Sequence, residues 1–183
     1  PYRRQRQMCI RDSYMRVDTK PQQEFPDPTP LTDYKLGDKA MGYLQKMTDL
    51  CKEKGIKLVL IKAPTEYPYW YEQWDEQVQQ FADENGVDYI NFIPLQNDIG
   101  LDMSQDTYDA GLHLNTTGAE KMADYFGKYL VENYNLTDYR NDSEYASIWD
   151  KKEAAYDSMK QQQYDELNKY GELKSFGANA IQN

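Results

Sequence analysis

Residues 55–64 read GIKLVLIKAP, a short and nearly continuous apolar run between a glycine and a proline. A run of this length is typical of a β-strand that is covered on both faces, as the strands of parallel sheets are. A second run, VDYINF at residues 87–92, follows after a segment with helical periodicity. We therefore predict that residues 56–63 and 87–92 are adjacent parallel strands, joined by a helix over residues 69–85.

Helical periodicity also flanks the two predicted strands. From residue 37 apolar side chains recur three and four positions apart, and the pattern ends at Gly55, as helix C-termini often do. A further helix is predicted over residues 118–134, beginning with a capping box formed by Thr117 and Glu120. This alternation predicts the α/β class with a parallel sheet, and two strands alone would leave bare edges, so we expect further strands upstream.

Composition divides the chain into five segments. Residues 1–13 contain RRQRQMCIRDS, which resembles a translated sequencing-library adapter, so we expect them to be non-native and to pack against nothing. The Pro-rich residues 14–36 are predicted to form an extended connector. Residues 37–134 form the predicted α/β domain, which we expect to be the C-terminal part of a larger one. Residues 135–173 are predicted to be a polar linker and a long amphipathic helix, and residues 174–183 a frayed tail.

The predicted long helix, residues 143–173, carries a loose apolar stripe. Its members are Tyr145, Trp149, Tyr156, Met159, Leu167 and Tyr170. An aromatic stripe at helical spacing usually packs against protein, so we expect this one to lie on the domain or on a partner.

Composition also excludes several classes of function. The chain has 31 acidic against 21 basic residues, so its surface should repel phosphate backbones and no nucleic-acid partner is predicted. No apolar run approaches the roughly 18 residues of a membrane span. One histidine and dispersed carboxylates do not specify a metal site, and no metal or other cofactor is predicted.

The only histidine of the chain, His113, lies in the stretch DAGLHLNTTGAEK at residues 109–121. It precedes the start of the predicted helix by about four residues and follows the last predicted strand. Ligands of open α/β sheets bind in the crevice at the carboxyl ends of the strands, so a catalytic histidine would be expected here. The alternative is that a lone histidine near a helix N-terminus simply fills a polar niche.

This stretch resembles the final block of the SGNH/GDSL hydrolase superfamily, in which an Asp and a His just before the last helix complete a Ser–His–Asp triad. The flanking sequences, GIKLVLIKAPTEYPYW and GVDYINFIPLQNDIGLDMS, are similar to extracytoplasmic SGNH-like proteins of Firmicutes. The resemblance covers residues 37–134. It implies part of a three-layer, flavodoxin-like α/β/α fold, followed here by the long C-terminal helix.

The resemblance implies that His113 is the general base that takes the proton from a serine, and that Asp109 orients and stabilises its imidazolium. The usual spacing in the family is Asp-x-x-His, whereas Ala110 stands at that place here and Asp109 lies one residue further back. Gly111 could absorb the extra residue as a loop bulge, and Asp106 is the other candidate carboxylate. The serine and oxyanion blocks of the family are not visible in the chain.

The implied activity of the parent protein is ester hydrolysis or O-acyl transfer. Its substrate would be an acylated small molecule or a cell-surface glycan, and the parent would be extracytoplasmic or membrane-anchored. The segment KAPTEYPYW at residues 62–70 adds tyrosine and tryptophan side chains, which suit sugar rings but also suit core or rim packing. The alternative function is a non-catalytic binding or scaffold module of a bacterial surface assembly, with the long helix as its working part.

Overall fold

The computed structural model describes residues 16–21 and 23–174, which fold as a mixed α/β chain dominated by helices. The helices are α1 (Asp38–Glu53), α2 (Glu72–Asn85), α3 (Gln96–Ile99), α4 (Thr116–Asn133) and α5 (Ser143–Tyr170), and the strands are β1 (Val59–Lys62) and β2 (Asp88–Asn91). The described residues form two compact units. We call residues 23–98 the sheet unit, and residues 16–21 together with 99–174 the histidine unit.

The two strands of the sheet unit pair in parallel, as predicted. Val59 lies opposite Asp88 and Lys62 opposite Asn91, so the two strands end at the same edge. Both strands are shorter than their apolar runs, although the Phe92 N–H still donates to the Lys62 carbonyl at 2.9 Å. The parallel sheet of the described residues therefore has two strands joined through α2.

Glycines in the left-handed region end the first two helices. After α1, Gly55 adopts φ 65°, and after α2, Gly86 adopts φ 61°, a conformation that costs glycine little. The Ile56 N–H donates back to the Cys51 carbonyl at 2.8 Å and leads the chain toward β1. Both observed helix ends lie within two residues of the ends predicted from the sequence. The core of the sheet unit includes the fully buried Phe92.

The predicted connector, residues 14–36, contains no helix or strand in its described residues, yet both of its parts are packed. In the histidine unit Val17 is buried, and its N–H donates to the Gln163 side chain of α5 at 3.0 Å. In the sheet unit the Leu36 N–H donates to the Gln77 side chain of α2 at 2.9 Å. Residues 1–13, predicted to be non-native, lie outside the described residues.

The predicted capping box of α4 is wrong. The helix begins at Thr116, and the N-cap is Asn115, whose side-chain oxygen accepts from the Gly118 N–H at 3.1 Å. Thr117 lies within the first turn, and Glu120 faces α5. Asparagine is at least as good an N-cap as threonine, and its amide group adds donors that a hydroxyl lacks. The Asn115 amide donates to the Gln105 carbonyl in the preceding loop.

Helix α5 packs mainly through its second half. Gln163 is buried, Met159 is partly buried, and the Tyr156 hydroxyl and Lys160 ammonium donate to Glu120 of α4 at 2.9 and 2.6 Å. In the first half Trp149 is 62% exposed. The predicted stripe is therefore partly buried in its middle, at Tyr156, Met159 and Leu167, and exposed at Tyr145, Trp149 and Tyr170. No helix within the described part of the chain has the length and apolar character needed to cross a membrane.

Candidate functional site

A loop closed by an isolated antiparallel bridge carries His113. The bridge joins Thr107 and Leu114, and we call residues 107–114 the histidine loop. Inside the bridge the Tyr108 N–H donates to the His113 carbonyl at 3.3 Å. The loop is therefore a closed turn whose tip, residues 108–113, lies between two anchored ends.

The buried Thr107 fixes the base of this loop. Its hydroxyl donates to the Met103 carbonyl at 2.8 Å and accepts from the Gly111 N–H at 3.0 Å. Its carbonyl accepts from the Lys20 N–H at 3.0 Å, so the segment at residues 16–20 also braces the loop. Asn115 completes the anchoring, because its amide donates to the Gln105 carbonyl at 2.7 Å.

At the tip, Asp109 binds His113 through both carboxylate oxygens. Oδ1 accepts from the His113 main-chain N–H at 2.6 Å, and Oδ2 lies 2.5 Å from Nδ1 of the imidazole. An ionised carboxylate can only accept, so the Nδ1 atom carries the proton and the Nε2 atom of a neutral imidazole carries the lone pair. The predicted contact between these residues is present, and the His113 side chain is 56% exposed.

An unusual backbone conformation makes the four-residue spacing possible. Ala110 has φ 67° and Gly111 has φ 100°, so two consecutive residues reverse the chain between the carboxylate and the imidazole. For alanine this conformation costs about 1 kcal/mol or more. The extra residue relative to Asp-x-x-His is thus absorbed at Ala110 and Gly111, and Gly111 was the position expected to absorb it.

Asp106, the other candidate carboxylate, has a different set of partners. It is buried, and its Oδ2 atom accepts from the Lys121 ammonium at 2.6 Å and from the Asp102 N–H at 2.8 Å. Its own carbonyl accepts from the Asn115 N–H at 2.8 Å. Asp106 therefore ties the loop to α4, and Asp109 is the carboxylate that contacts His113.

Two residues that the sequence did not single out lie near the histidine loop's tip, and one of them contacts the imidazole. The Tyr108 ring stacks on the His113 ring, with centroids 5.9 Å apart and planes 13° apart. The Arg16 guanidinium lies 5.1 Å from the centroid of the Tyr108 ring. Its side chain also donates to Asp18, and this hydrogen bond raises the pKa of Arg16. Tyr108 adjoins Asp109 in sequence, but no sequence signal connects Arg16 with a loop so far along the chain.

No family model, curated protein or solved structure gives a significant match to this chain.

The Nε2 atom of His113 has no serine partner among the described residues. None of them forms a hydrogen bond with Nε2 of His113. The Ser104 hydroxyl donates to Asp102 at 2.6 Å, and the other described serines, Ser143, Ser147 and Ser158, lie on α5. Within residues 16–21 and 23–174 no cluster of three or more His, Cys, Asp or Glu side chains is arranged to hold a metal ion.

An imidazole held in this way can act as a general base. The carboxylate fixes the ring and its tautomer, and it stabilises the positive charge that appears when Nε2 accepts a proton. The exposed Nε2 can receive that proton from a hydroxyl, a thiol or a water molecule. Donating the proton back to a leaving group is the reverse step at the same atom.

Proposed function

We propose that the histidine loop is the base-bearing part of an acyl-transfer centre of the SGNH/GDSL type. The parent protein would be an ester hydrolase or O-acyltransferase with the three-layer fold of that superfamily. The observation that carries the proposal is the Asp109–His113 pair, with a 2.5 Å contact at Nδ1 and an exposed Nε2. The resemblance of residues 109–121 to the final block of that superfamily supports the same assignment.

In the proposed reaction His113 moves one proton in each half of the cycle. Its Nε2 takes the hydroxyl proton while a serine oxygen attacks the ester carbonyl, and it then gives this proton to the leaving alkoxide. Water or an acceptor hydroxyl repeats both steps on the acyl-enzyme. Asp109 holds the imidazolium in place throughout. The serine and the oxyanion donors belong to sequence outside the described residues.

The proposed substrate is an acyl ester on a small molecule or on a cell-surface glycan. An extracytoplasmic or membrane-anchored parent would have access to such a glycan. The acidic chain, with a formal net charge of −10, favours a neutral substrate over an anionic one.

The test is the esterase activity of the intact parent protein on p-nitrophenyl acetate. Replacing His113 with Ala should lower kcat/KM by about 10³-fold or more, because base catalysis is lost while the fold stays intact. Asp109→Asn should give a loss of a similar order through the wrong tautomer. Asp124→Asn, the same change at an exposed position of α4, is the matched control and should leave the rate unchanged.

The 183-residue chain by itself should hydrolyse this ester at only a small fraction of the rate of the intact parent protein. A base and its orienting carboxylate, without nucleophile and oxyanion donors, lose nearly all of the rate. A parent protein that keeps its activity after His113→Ala would contradict the proposal, and so would a parent sequence without a serine nucleophile after an apolar strand.

A second candidate function is a non-catalytic scaffold or binding module. The exposed first half of α5 favours it, because Tyr145, Ile148 and Trp149 present apolar surface there. Sedimentation of the chain and of a Trp149→Glu variant distinguishes the two functions. Self-association that this substitution abolishes, in a parent without esterase activity, would favour the scaffold.

A further inference from the structure

The sheet unit contains a continuous cluster of aromatic rings that the proposed acyl chemistry does not use. Neighbouring rings have centroids between 4.8 and 6.4 Å apart. We call this set the aromatic cluster, and it comprises Phe25, Tyr34, Tyr67, Tyr69, Trp70, Tyr71 and Trp74. Most of its rings come from residues 67–74, between β1 and the first turn of α2.

The position of this segment in the sheet unit points to ligand binding. The segment leaves the carboxyl end of β1, where Lys62 lies opposite Asn91 at the end of β2. Ligands of open parallel sheets bind at this edge. The Lys62 ammonium lies 5.2 Å from the centroid of the Trp70 ring, and burial lowers the pKa of this lysine.

The polar groups of the cluster fall into two sets. The Tyr71 hydroxyl donates to the Thr29 carbonyl at 2.7 Å and the Trp70 indole N–H to Asp75 at 3.1 Å, so these rings are held by the protein. The hydroxyls of Tyr67 and Tyr69 have no hydrogen-bond partner within the described residues, and the two rings contact each other at a centroid distance of 5.1 Å.

Exposure distinguishes Tyr67 from its neighbouring rings. Tyr67 is 50% exposed, whereas Tyr69, Trp70 and Tyr71 are each partly buried. Rings needed only for packing would bury their faces and pair their polar tips. Tyr67 does neither, so its side chain is available to a ligand.

We propose that Tyr67 and Tyr69 form a binding surface for a neutral oligosaccharide. A pyranose ring offers C–H bonds that pack on an aromatic face, and its hydroxyls can pair with free phenol groups. The partly exposed Glu66 and the exposed Glu72 flank these tyrosines in sequence and can accept from sugar hydroxyls. Together with the net charge of −10, these carboxylates disfavour an anionic polymer.

The proposed function names a glycan as one possible carrier of the ester, and this surface would supply that substrate class. The binding test nevertheless needs no acyl chemistry, because it is made without turnover. Failure of the sugar test and failure of the esterase test can therefore be told apart.

The experiment uses tryptophan fluorescence of the whole chain in a Trp149→Phe background. The chain has three tryptophans, so the signal then comes from Trp70 and Trp74 of the aromatic cluster. The probes are cellohexaose, xylohexaose and chitohexaose, titrated to about 10 mM, a concentration at which even sites of millimolar Kd are mostly filled. We expect a saturable change with at least one of them.

Three variants locate the binding surface. Tyr67→Ala should raise Kd about fivefold to tenfold through the loss of one stacked ring, and Tyr67→Phe should raise it about twofold to threefold. Tyr43→Ala is the matched control, because Tyr43 is a 62% exposed tyrosine of α1 in the same unit, and it should leave Kd unchanged.

Two results would overturn this assignment in a chain that circular dichroism shows to be folded. One is the absence of a fluorescence response to all three sugars. This result overturns the assignment even if an apolar dye binds the chain and Tyr67→Ala abolishes the binding of that dye. The other is an unchanged Kd in Tyr67→Ala.

Discussion

Two carboxylates only three residues apart have opposite surroundings, one just before the histidine loop and the other at its tip. Asp106, beside the base, has a side chain that is 2% exposed and pairs with Lys121. Asp109, at the tip, has a side chain that is 29% exposed and pairs with a histidine that is itself 56% exposed. One carboxylate joins two elements of the fold, and the other holds a titratable ring toward solvent.

The difference separates stability from chemistry within one short segment. The buried Asp106 carboxylate ties structure together through its partners, and leaving those partners without an acceptor is costly. A solvent-facing pair contributes little to stability, so a strained backbone such as that at Ala110 is not explained by folding alone. Substitutions at the base should therefore act on unfolding, and substitutions at the tip should act on the esterase rate that we propose for the intact protein.

The largest expected effect on stability is at Asp106. Asp106→Ala should lower the free energy of unfolding by about 2–3 kcal/mol, because the Asp102 N–H and the Lys121 ammonium lose their acceptor. Asp109→Ala should cost less than about 1 kcal/mol. Urea denaturation of both variants checks the contrast, and equal losses would remove the distinction between base and tip.

The next effect concerns the close approach of α4 to the base. A Cβ atom at Gly118 would lie 2.5 Å from the Asp106 carbonyl oxygen, so Gly118→Ala should cost about 2 kcal/mol. Gly127, in the same helix, has no atom within 4 Å of such a position. Gly127→Ala should instead stabilise the chain by about 0.5–1 kcal/mol. Thermal unfolding distinguishes them, and a tolerated Gly118→Ala would mean that the base is less tightly packed than described.

A smaller effect tests which residue caps α4. Asn115→Ala should lower the free energy of unfolding by about 1–2 kcal/mol, because the helix loses its N-cap and the loop loses the bond to Gln105. Thr117→Ala should change it by less than about 0.5 kcal/mol. If Thr117→Ala proved the more costly of the two in chemical denaturation, the predicted capping box would be restored.

The smallest effect comes from a third carboxylate, Glu120, which is half exposed and is paired with a lysine of α5. The hydrogen bond from Lys160 lowers the pKa of Glu120 below its usual 4.5. A lowered pKa stabilises the fold above pH 4.5, and this contribution is lost as the pH falls through the folded value. Because the Glu120 side chain is 46% exposed, we expect only a few tenths of a kcal/mol. Denaturation of the unsubstituted chain and of its Glu120→Gln variant between pH 3 and about pH 6 measures this contribution. The free energies of unfolding of the two proteins should converge at low pH.

Patterns that depend on local periodicity were readable from the sequence. The parallel pairing of β1 and β2 followed from two apolar runs separated by one helix, and Gly55 and Gly86 marked helix ends because glycine takes positive φ freely. The exposed half of α5 did not follow, since a stripe of apolar residues does not state how much of its length finds a partner.

The site was predictable in part. His113 was easily identified as a candidate because it is the only histidine of the chain. Which carboxylate contacts it, Asp109 or Asp106, depends on the backbone at Ala110, where a non-glycine residue adopts positive φ. Propensity does not predict such a conformation, because its cost is offset by tertiary contacts such as the bond between Gly111 and Thr107. The contact between Arg16 and the Tyr108 ring could not be predicted either, because the two residues are far apart in sequence.

The most direct test of the central claim is the tautomer of the His113 imidazole, read by long-range ¹H–¹⁵N NMR. The chain has one histidine, so its two ring nitrogens give an unambiguous pair of signals. At a pH where the ring is neutral, we predict that Nδ1 carries the proton and Nε2 the lone pair, and that Asp109→Asn weakens this preference while Asp106→Asn leaves it in place. A neutral ring protonated at Nε2, as in free histidine, and insensitive to Asp109→Asn, would contradict the account.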